Sequence, residues 1–219
     1  MSNLYDDPKE ARSQFGKKRR DFERYARELL NYLPAGSGRT LLDIGCGAGF
    51  LVAEANRRGF KACGIDASKV LTRLGKEKLK ANLQAVSIEK YKTNQKFDVL
   101  VAKHVIEHIE DLDSFLAQCH QLLKPHGLFL ISCPNIRSLF YFIFRKRWYG
   151  LQPDQHRWQF TPKLLTSVLE KNGFKIVKAE VTNLNYQVPG PKRPIFWFLL
   201  ALAKLTNLGD QLIFLAKKN

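Results

Sequence analysis

The stretch Thr40-Leu-Leu-Asp-Ile44, followed by Gly45-Cys-Gly-Ala-Gly49, constrains this chain more than any other part of it. The short apolar run reads as a strand, the glycines as a tight turn, and residues 49–58 as a helix that stops near Gly59. A strand that leaves a glycine turn as a helix gathers free backbone N–H groups and the positive end of a helix dipole at one spot. That suits an anionic ligand group, and glycine lets the backbone approach it closely. A second apolar strand, Phe60 to Ile65, is closed by Asp66, 17 residues beyond Gly49. In an open α/β sheet an acidic residue at this point takes the ribose diol of a bound nucleotide; the alternative is an aspartate that only caps the next helix.

The same alternation runs on. Residues 18–33 predict a helix ahead of the first strand, and Ser68 caps one that reaches about Lys80. Leu83 to Ile88 is a weak third strand and Phe97 to Ala102 a fourth; Asp111 or Asp113 caps a helix ending near Lys124. Pro125-His-Gly127 is a turn and Leu128 to Cys133 a fifth strand. Thr161-Pro162 opens a helix that Gly173 ends; Phe174 to Val181 and Gln211 to Ala216 complete seven strands. Strands alternating with helices predict an α/β fold with a mostly parallel sheet and helices on both faces. Residues 136–160 and 182–209 break the alternation and read as apolar helical insertions after strands five and six. The expectation is one domain over residues 1–219, with 1–38 as an N-terminal helical segment.

Asp43 stands two residues before the first glycine, giving Asp-x-Gly-x-Gly-x-Gly. The dinucleotide fingerprint Gly-x-Gly-x-x-Gly needs its third glycine where Phe50 stands, so Gly49 comes one place early. The pattern resembles motif I of the class I S-adenosylmethionine (SAM)-dependent methyltransferases. Gly64-Ile-Asp66, Phe97-Asp-Val-Leu-Val-Ala102, His104-Val-Ile-Glu-His-Ile109, Leu123-Lys-Pro-His-Gly127 and Gly173-Phe174 extend the resemblance over roughly residues 20–181. It is nearest the ubiquinone O-methyltransferase-like branch. The resemblance implies a Rossmann-like fold, an antiparallel last strand and SAM as cofactor. It implies that Gly45, Cys46 and Gly47 pass along the methionine part of SAM, that Asp43 orients its amino group and that Asp66 binds the ribose. Ile88 with Glu89 would lie along the adenine, and Lys103 would line the pocket. Arg24, with Arg20 as runner-up, is the candidate for the SAM carboxylate; both also read as solvated helix charges.

His104-Val-Ile-Glu107-His108 fits the inverted zinc-protease pattern, but it directly follows a strand of a sheet whose first turn already binds a ligand. The branch it resembles carries Glu-x-x-Glu-His with a divalent metal. His104 replaces the first carboxylate, which disfavours Mg²⁺ and would suit Zn²⁺ better. No residue is assigned as a metal ligand: the plain reading is a histidine and a carboxylate packed beside the active site, and the alternative is a metal held by His104, Glu107 and His108. His104 and His156 are the candidate general bases, each equally readable as a structural histidine.

Charge bears on the acceptor. The formal net charge is +16: residues 1–40 and 41–134 each carry +3, and residues 135–219 carry +10. That excess flanks two aromatic, apolar runs, 138–149 and 192–205. Basic groups beside aromatic anchors suit an anionic membrane surface; the alternative is a lid or a dimer contact. Basic residues do not interleave with aromatics as on an RNA platform, so nucleic acid is the disfavoured partner. The expected reaction is methyl transfer to a small-molecule hydroxyl on an apolar, lipid-linked or quinone-like acceptor. An RNA methyltransferase, or a SAM-fold binding module without catalysis, is the alternative. The longest unbroken apolar run, Ile195 to Ala203, has nine residues, against about 18 for a membrane span. There is no apolar signal region and no Cys-x-x-Cys pair among four cysteines, so a reducing cytoplasm is expected, with peripheral association at the inner membrane face.

Overall fold

Neighbouring residues of the central strands go to opposite faces of one sheet, and two apolar cores result. The computed structural model describes residues 7–183 and 193–219; the side chains of residues 14, 18 and 193–196 lie outside the description. The second insertion, and the apolar run that begins at Ile195, therefore fall partly outside the described residues. In chain order the elements are α1 (Pro8–Leu30), β1 (Thr40–Ile44), α2 (Phe50–Arg57), β2 (Lys61–Asp66), α3 (Lys69–Leu79), β3 (Leu83–Ala85) and β4 (Phe97–Lys103). Then come α4 (Leu112–Leu122), β5 (Leu123–Pro134), α5 (Leu139–Phe144), α6 (Pro162–Lys171), β6 (Phe174–Thr182), α7 (Arg193–Leu205) and β7 (Gln211–Lys218).

The strand order is β3-β2-β1-β4-β5-β7-β6. Every neighbouring pair up to β5 is parallel, whereas β7 runs antiparallel to both β5 and β6. Leu42, Ile44, Leu100, Ala102, Phe129 and Ile131 face a core closed by Phe115 and Leu116 of α4 and Leu165 and Leu169 of α6. Leu41, Val99, Val101 and Leu130, one residue out of step, face Ala26 and Leu29 of α1 and Val52 and Ala55 of α2. This period-2 split is why the central strands are apolar on both faces. The chain runs outward to one side from β1 and to the other from β4, so the carboxyl ends of these two strands part and leave a crevice.

Three elements differ from the sequence expectation. Helix α1 begins at Pro8, ten residues before the expected start, because the Asp7 side chain accepts from Lys9 N and Pro8 occupies the first turn. Strand β3 stops at Ala85, since Ile88–Lys90 turn into a 3₁₀ segment. Strand β5 extends back to Leu123, and the expected turn at 125–127 is an irregularity within it: pairing jumps from Phe97↔Leu123 to Val99↔Leu128. The two insertions meet each other, with Phe140, Trp148 and Ala203 buried together.

Asp98 ties the amino ends of β1 and β4, at the end of the sheet away from the crevice. Its Oδ2 accepts from Thr40 N at 2.8 Å, Thr40 Oγ1 at 2.7 Å and Lys124 Nζ at 2.8 Å. Partial burial opposes the charge, but these donors prevail and hold the carboxyl at about 2, below its ordinary 3.8. A depressed carboxylate stabilises the fold above the unfolded value and loses that contribution as the pH falls through the folded one. Asp98→Asn is therefore expected to flatten the loss of stability between about pH 4 and pH 2. Urea denaturation across that range measures it, and an unaltered acid limb would refute the clamp.

Candidate active site at the strand reversal

The crevice is a cleft of about 1020 Å³, floored by the glycine turn and the carboxyl ends of β1, β2 and β4. Gly45 and Gly47 take φ of +70° and +53°, the left-handed region open to glycine. A Cβ on Gly45 would also collide with Val105 Cγ2. The N–H groups of Gly45 and Cys46 donate to Ile65 O at 2.8 and 3.0 Å. Asp66 braces the turn from the side: its Oδ2 accepts from Gly47 N at 2.7 Å and its Oδ1 from Ser68 N at 2.8 Å. Asp66 does not cap α3, whose N-cap is Ser68; each of its carboxylate oxygens has a second lone pair for a ligand.

Asp43 and Lys103 stand at the ends of β1 and β4, within the cleft lining. Burial raises the Asp43 carboxyl, and the nearby Lys103 opposes that rise. Burial pulls Lys103 down to about 8 from 10.5, against the attraction of Asp43. Helix α1 forms an aromatic wall: Phe15 and Phe22 stack on Phe50 with centroids 4.9 and 5.3 Å apart, and Lys103 Nζ lies 4.0 Å from the Tyr25 ring centre. The Tyr25 hydroxyl is 3.0 Å from Ser132 Oγ, which also accepts from Gln211 Nε2. Ile88 is buried and contributes to the lining with Glu89.

His104 lies on the cleft wall with φ of +51°, an uncommon backbone state for a non-glycine residue. Its N–H donates to Ser132 O at 2.7 Å, and its Nδ1 is 3.1 Å from Glu107 Oε1. Glu107 is almost wholly enclosed, with 1% exposure. The pair has the form of a base and its orienting carboxylate.

Of the site residues expected from sequence, Asp43, Gly45, Cys46, Gly47, Asp66, Ile88, Lys103 and His104 gather around this cleft. Arg24 and His156 do not. Arg24 turns along α1 to Asp21 at 3.1 Å and Glu28 at 4.0 Å, because residues three and four apart share a helix face. Among the described lining residues the lysine or arginine is Lys103. His156 sits behind the wall, its Nδ1 2.9 Å from Gly150 O and its ring edge-on to His108. Sequence reasoning missed Phe15, Phe22 and Tyr25 as lining, since apolar helical spacing signals burial without saying against what. It also missed Asp154 and Gln155, which reach the rim from the insertion between β5 and α6.

Comparison with known proteins bears on this geometry. A family model described as a methyltransferase domain matches residues 16–179. The chain belongs to the SAM-dependent methyltransferase family. It is 33% identical over 159 residues to a protein named ubiquinone biosynthesis O-methyltransferase from Pelagibacter ubique, covering 66% of this chain and 65% of that one. A Rhodopseudomonas palustris protein of the same name is 33% identical over 182 residues, covering 76% and 68%. The chain thus spans about two thirds of the length of these relatives. A SAM-dependent methyltransferase structure from Archaeoglobus fulgidus superposes with TM-score 0.68 at 23% identity, over 90% of this chain and 94% of that one. Magnesium protoporphyrin IX methyltransferase from Synechocystis with bound S-adenosylhomocysteine gives 0.66 at 17%, over 92% and 85%. These two share the fold.

Lys103 of this methyltransferase is expected to titrate at about 8 in the absence of ligand, below the surface lysines. Removing the neighbouring anion with Asp43→Asn is expected to lower it further, since Asp43 favours the charged ammonium. Heteronuclear NMR of the lysine side chains measures both; a Lys103 that titrates with the exposed lysines would overturn its burial.

Proposed function

We propose that this methyltransferase transfers the methyl group of SAM to a hydroxyl on an apolar, quinone-like or lipid-linked acceptor. The observation that carries the reading is one cleft lined by both the Asp66-braced glycine turn and His104, whose ring is paired with the buried Glu107 behind it. In the proposed assignment the Asp66 carboxylate accepts from the ribose hydroxyls. Gly45, Cys46 and Gly47 run along the methionine part, Asp43 orients its amino group, and Ile88 packs on the adenine. Lys103 takes the SAM carboxylate, the role that sequence resemblance suggested for Arg24. The acceptor oxygen attacks the methyl carbon in line, the carbon–sulfur bond breaks with its electron pair on sulfur, and the acceptor proton passes to His104. Glu107 fixes the ring through Nδ1, which leaves Nε2 to take that proton. The sulfonium already activates the carbon, so alignment and exclusion of water are the main demands, and the Phe15–Phe22–Phe50 wall serves both. An aromatic wall suits an apolar acceptor, and the names of the relatives support an oxygen nucleophile of the quinone type.

Two features support an acceptor in a lipid phase under this reading. Phe142, Ile143 and Phe144 of α5 and Trp197 and Phe198 of α7 are 42–66% exposed, and Arg145, Lys146 and Arg147 beside them are exposed too. Aromatic groups next to a basic cluster match an anionic membrane interface. No described helix is long and apolar enough to cross a membrane, so the association would be peripheral.

Titration calorimetry with SAM tests the cofactor assignment. Asp66→Ala is expected to weaken binding at least ~30-fold, from two hydrogen bonds to a carboxylate at about 1 kcal/mol or more each. Lys103→Met is expected to weaken it as well, and Arg24→Ala to leave it unchanged. His104→Ala is expected to keep SAM affinity and lower kcat by about 10²–10⁴ on a polyprenylated catechol, with the O-methyl product read by mass spectrometry. Failure to bind SAM would sink the enzyme reading. For the surface, co-sedimentation with phosphatidylglycerol vesicles is expected to fall when Phe142 and Phe198 are both replaced by Asp; equal sedimentation would reject these helices as the anchor.

A further inference from the structure

A second pocket lies beyond the cofactor cleft, on the far side of Tyr25, which lines both. It sits between α1, α7 and the ends of β6 and β7, with a volume of about 420 Å³, within the range of small-molecule sites. Two of its lining side chains carry buried amide oxygens that have no hydrogen-bond partner among the described residues, Asn183 Oδ1 and Gln211 Oε1. Asn183 Nδ2 donates to Leu200 O at 3.2 Å; a carbonyl only accepts, so this amide cannot turn over and its oxygen stays the unpaired end. Gln211, wholly buried, donates through Nε2 to Ser132 Oγ, which leaves Oε1 as its unpaired end. Sealing two acceptors away without donors is costly, and a ligand that brings donors removes that cost.

The rest of the lining sets what kind of donor fits. Lys178 Nζ lies 4.5 Å from the Tyr32 ring centre and Lys103 Nζ 4.0 Å from that of Tyr25, so a cationic ligand would meet like charge across both rings. An anion would face the two amide oxygens. Glu28 and Lys204 add one charge of each sign to the lining. An uncharged ligand is what remains, and the rings of Tyr25, Tyr32 and Trp197, with Leu29 and Ile213, suit a flat apolar body.

We propose that this pocket binds an uncharged ring bearing at least two hydrogen-bond donors, which it reads through Asn183 Oδ1 and Gln211 Oε1. Neither oxygen is open to water, so binding needs side-chain movement at the pocket wall, and Trp197, exposed at 53%, has room for it. The ring is either the far end of the molecule that is methylated or a separate small molecule. Its binding requires neither SAM nor methyl transfer.

The test titrates the isomeric dihydroxybenzenes and their dimethyl ethers into the full chain without SAM, followed by NMR. A diol is expected to bind, and its ether, which offers no donor, to bind at least ~10-fold more weakly. Intermolecular NOEs from the bound diol are expected to the Trp197 indole and to the Leu29 and Ile213 methyls. Asn183→Leu and Gln211→Leu are each expected to cut the preference for diol over ether by roughly 5-fold. Circular dichroism checks that each variant is folded, and the NOEs in the parent protein decide the matter even if one is not. Diol binding that persists beside S-adenosylhomocysteine and the polyprenylated catechol assigns a separate molecule; competition by the catechol assigns the acceptor's own ring. Failure of every diol to bind, equal affinity for diol and ether, an unchanged preference in both folded variants, or NOEs confined to Phe22 and Phe50 of the cleft would each overturn the proposal. A chain that failed to bind SAM would leave these results standing, so the two readings fail separately.

Discussion

Pairing of β1 with β2 on one side and β4 on the other is the constraint on which the rest of the structure depends. It sends the chain outward in two directions, so no connection crosses the carboxyl ends of β1 and β4. Residues at those ends then face a crevice: Asp43 and the glycine turn from β1, Asp66 from β2, Lys103 and His104 from β4. The glycine turn keeps its left-handed geometry because Asp66 and Ile65 O hold its N–H groups. The same contacts would position a nucleotide there, so fold and cofactor site share one set of bonds.

The other half of the site comes from elements that the sheet does not dictate. Helix α1 lays Phe15, Phe22 and Tyr25 along the cleft, and the β5–α6 insertion presses Gln155 and His156 against the turn after β4. In the proposed reading these additions set the acceptor, while the strand ends of the sheet hold the methyl donor. The fold itself is shared at 17–23% identity with methyltransferases of different names.

Much of this was legible in the chain itself. Thr161-Pro162 and Ser68 marked helix starts that the structure bears out, because a capping oxygen or a proline at the first turn acts through neighbours in sequence. The same signal at Asp7-Pro8 was overlooked, as the apolar stripe that draws attention to a helix begins only further along α1. Pro125-His-Gly127 misled in the opposite sense: turn residues also serve inside a strand, where β5 bulges them out while β4 advances by only two residues.

The sequence by itself determined the strand–glycine turn–helix unit, the acidic residues that flank it and the succession of strands and helices along the chain. Each of these rests on local backbone preference and on a hydrophobic period that repeats within a few residues. Only the tertiary structure decided which cation lies in the cleft and what His156 faces. Arg24 and Lys103 are equally charged on paper. One lies on a helix flank with acidic neighbours a turn away, and the other is carried into the crevice by β4. His156 meets Glu107 and His108 because hydrogen bonds between distant segments hold them together, and no period or spacing in the chain records such bonds.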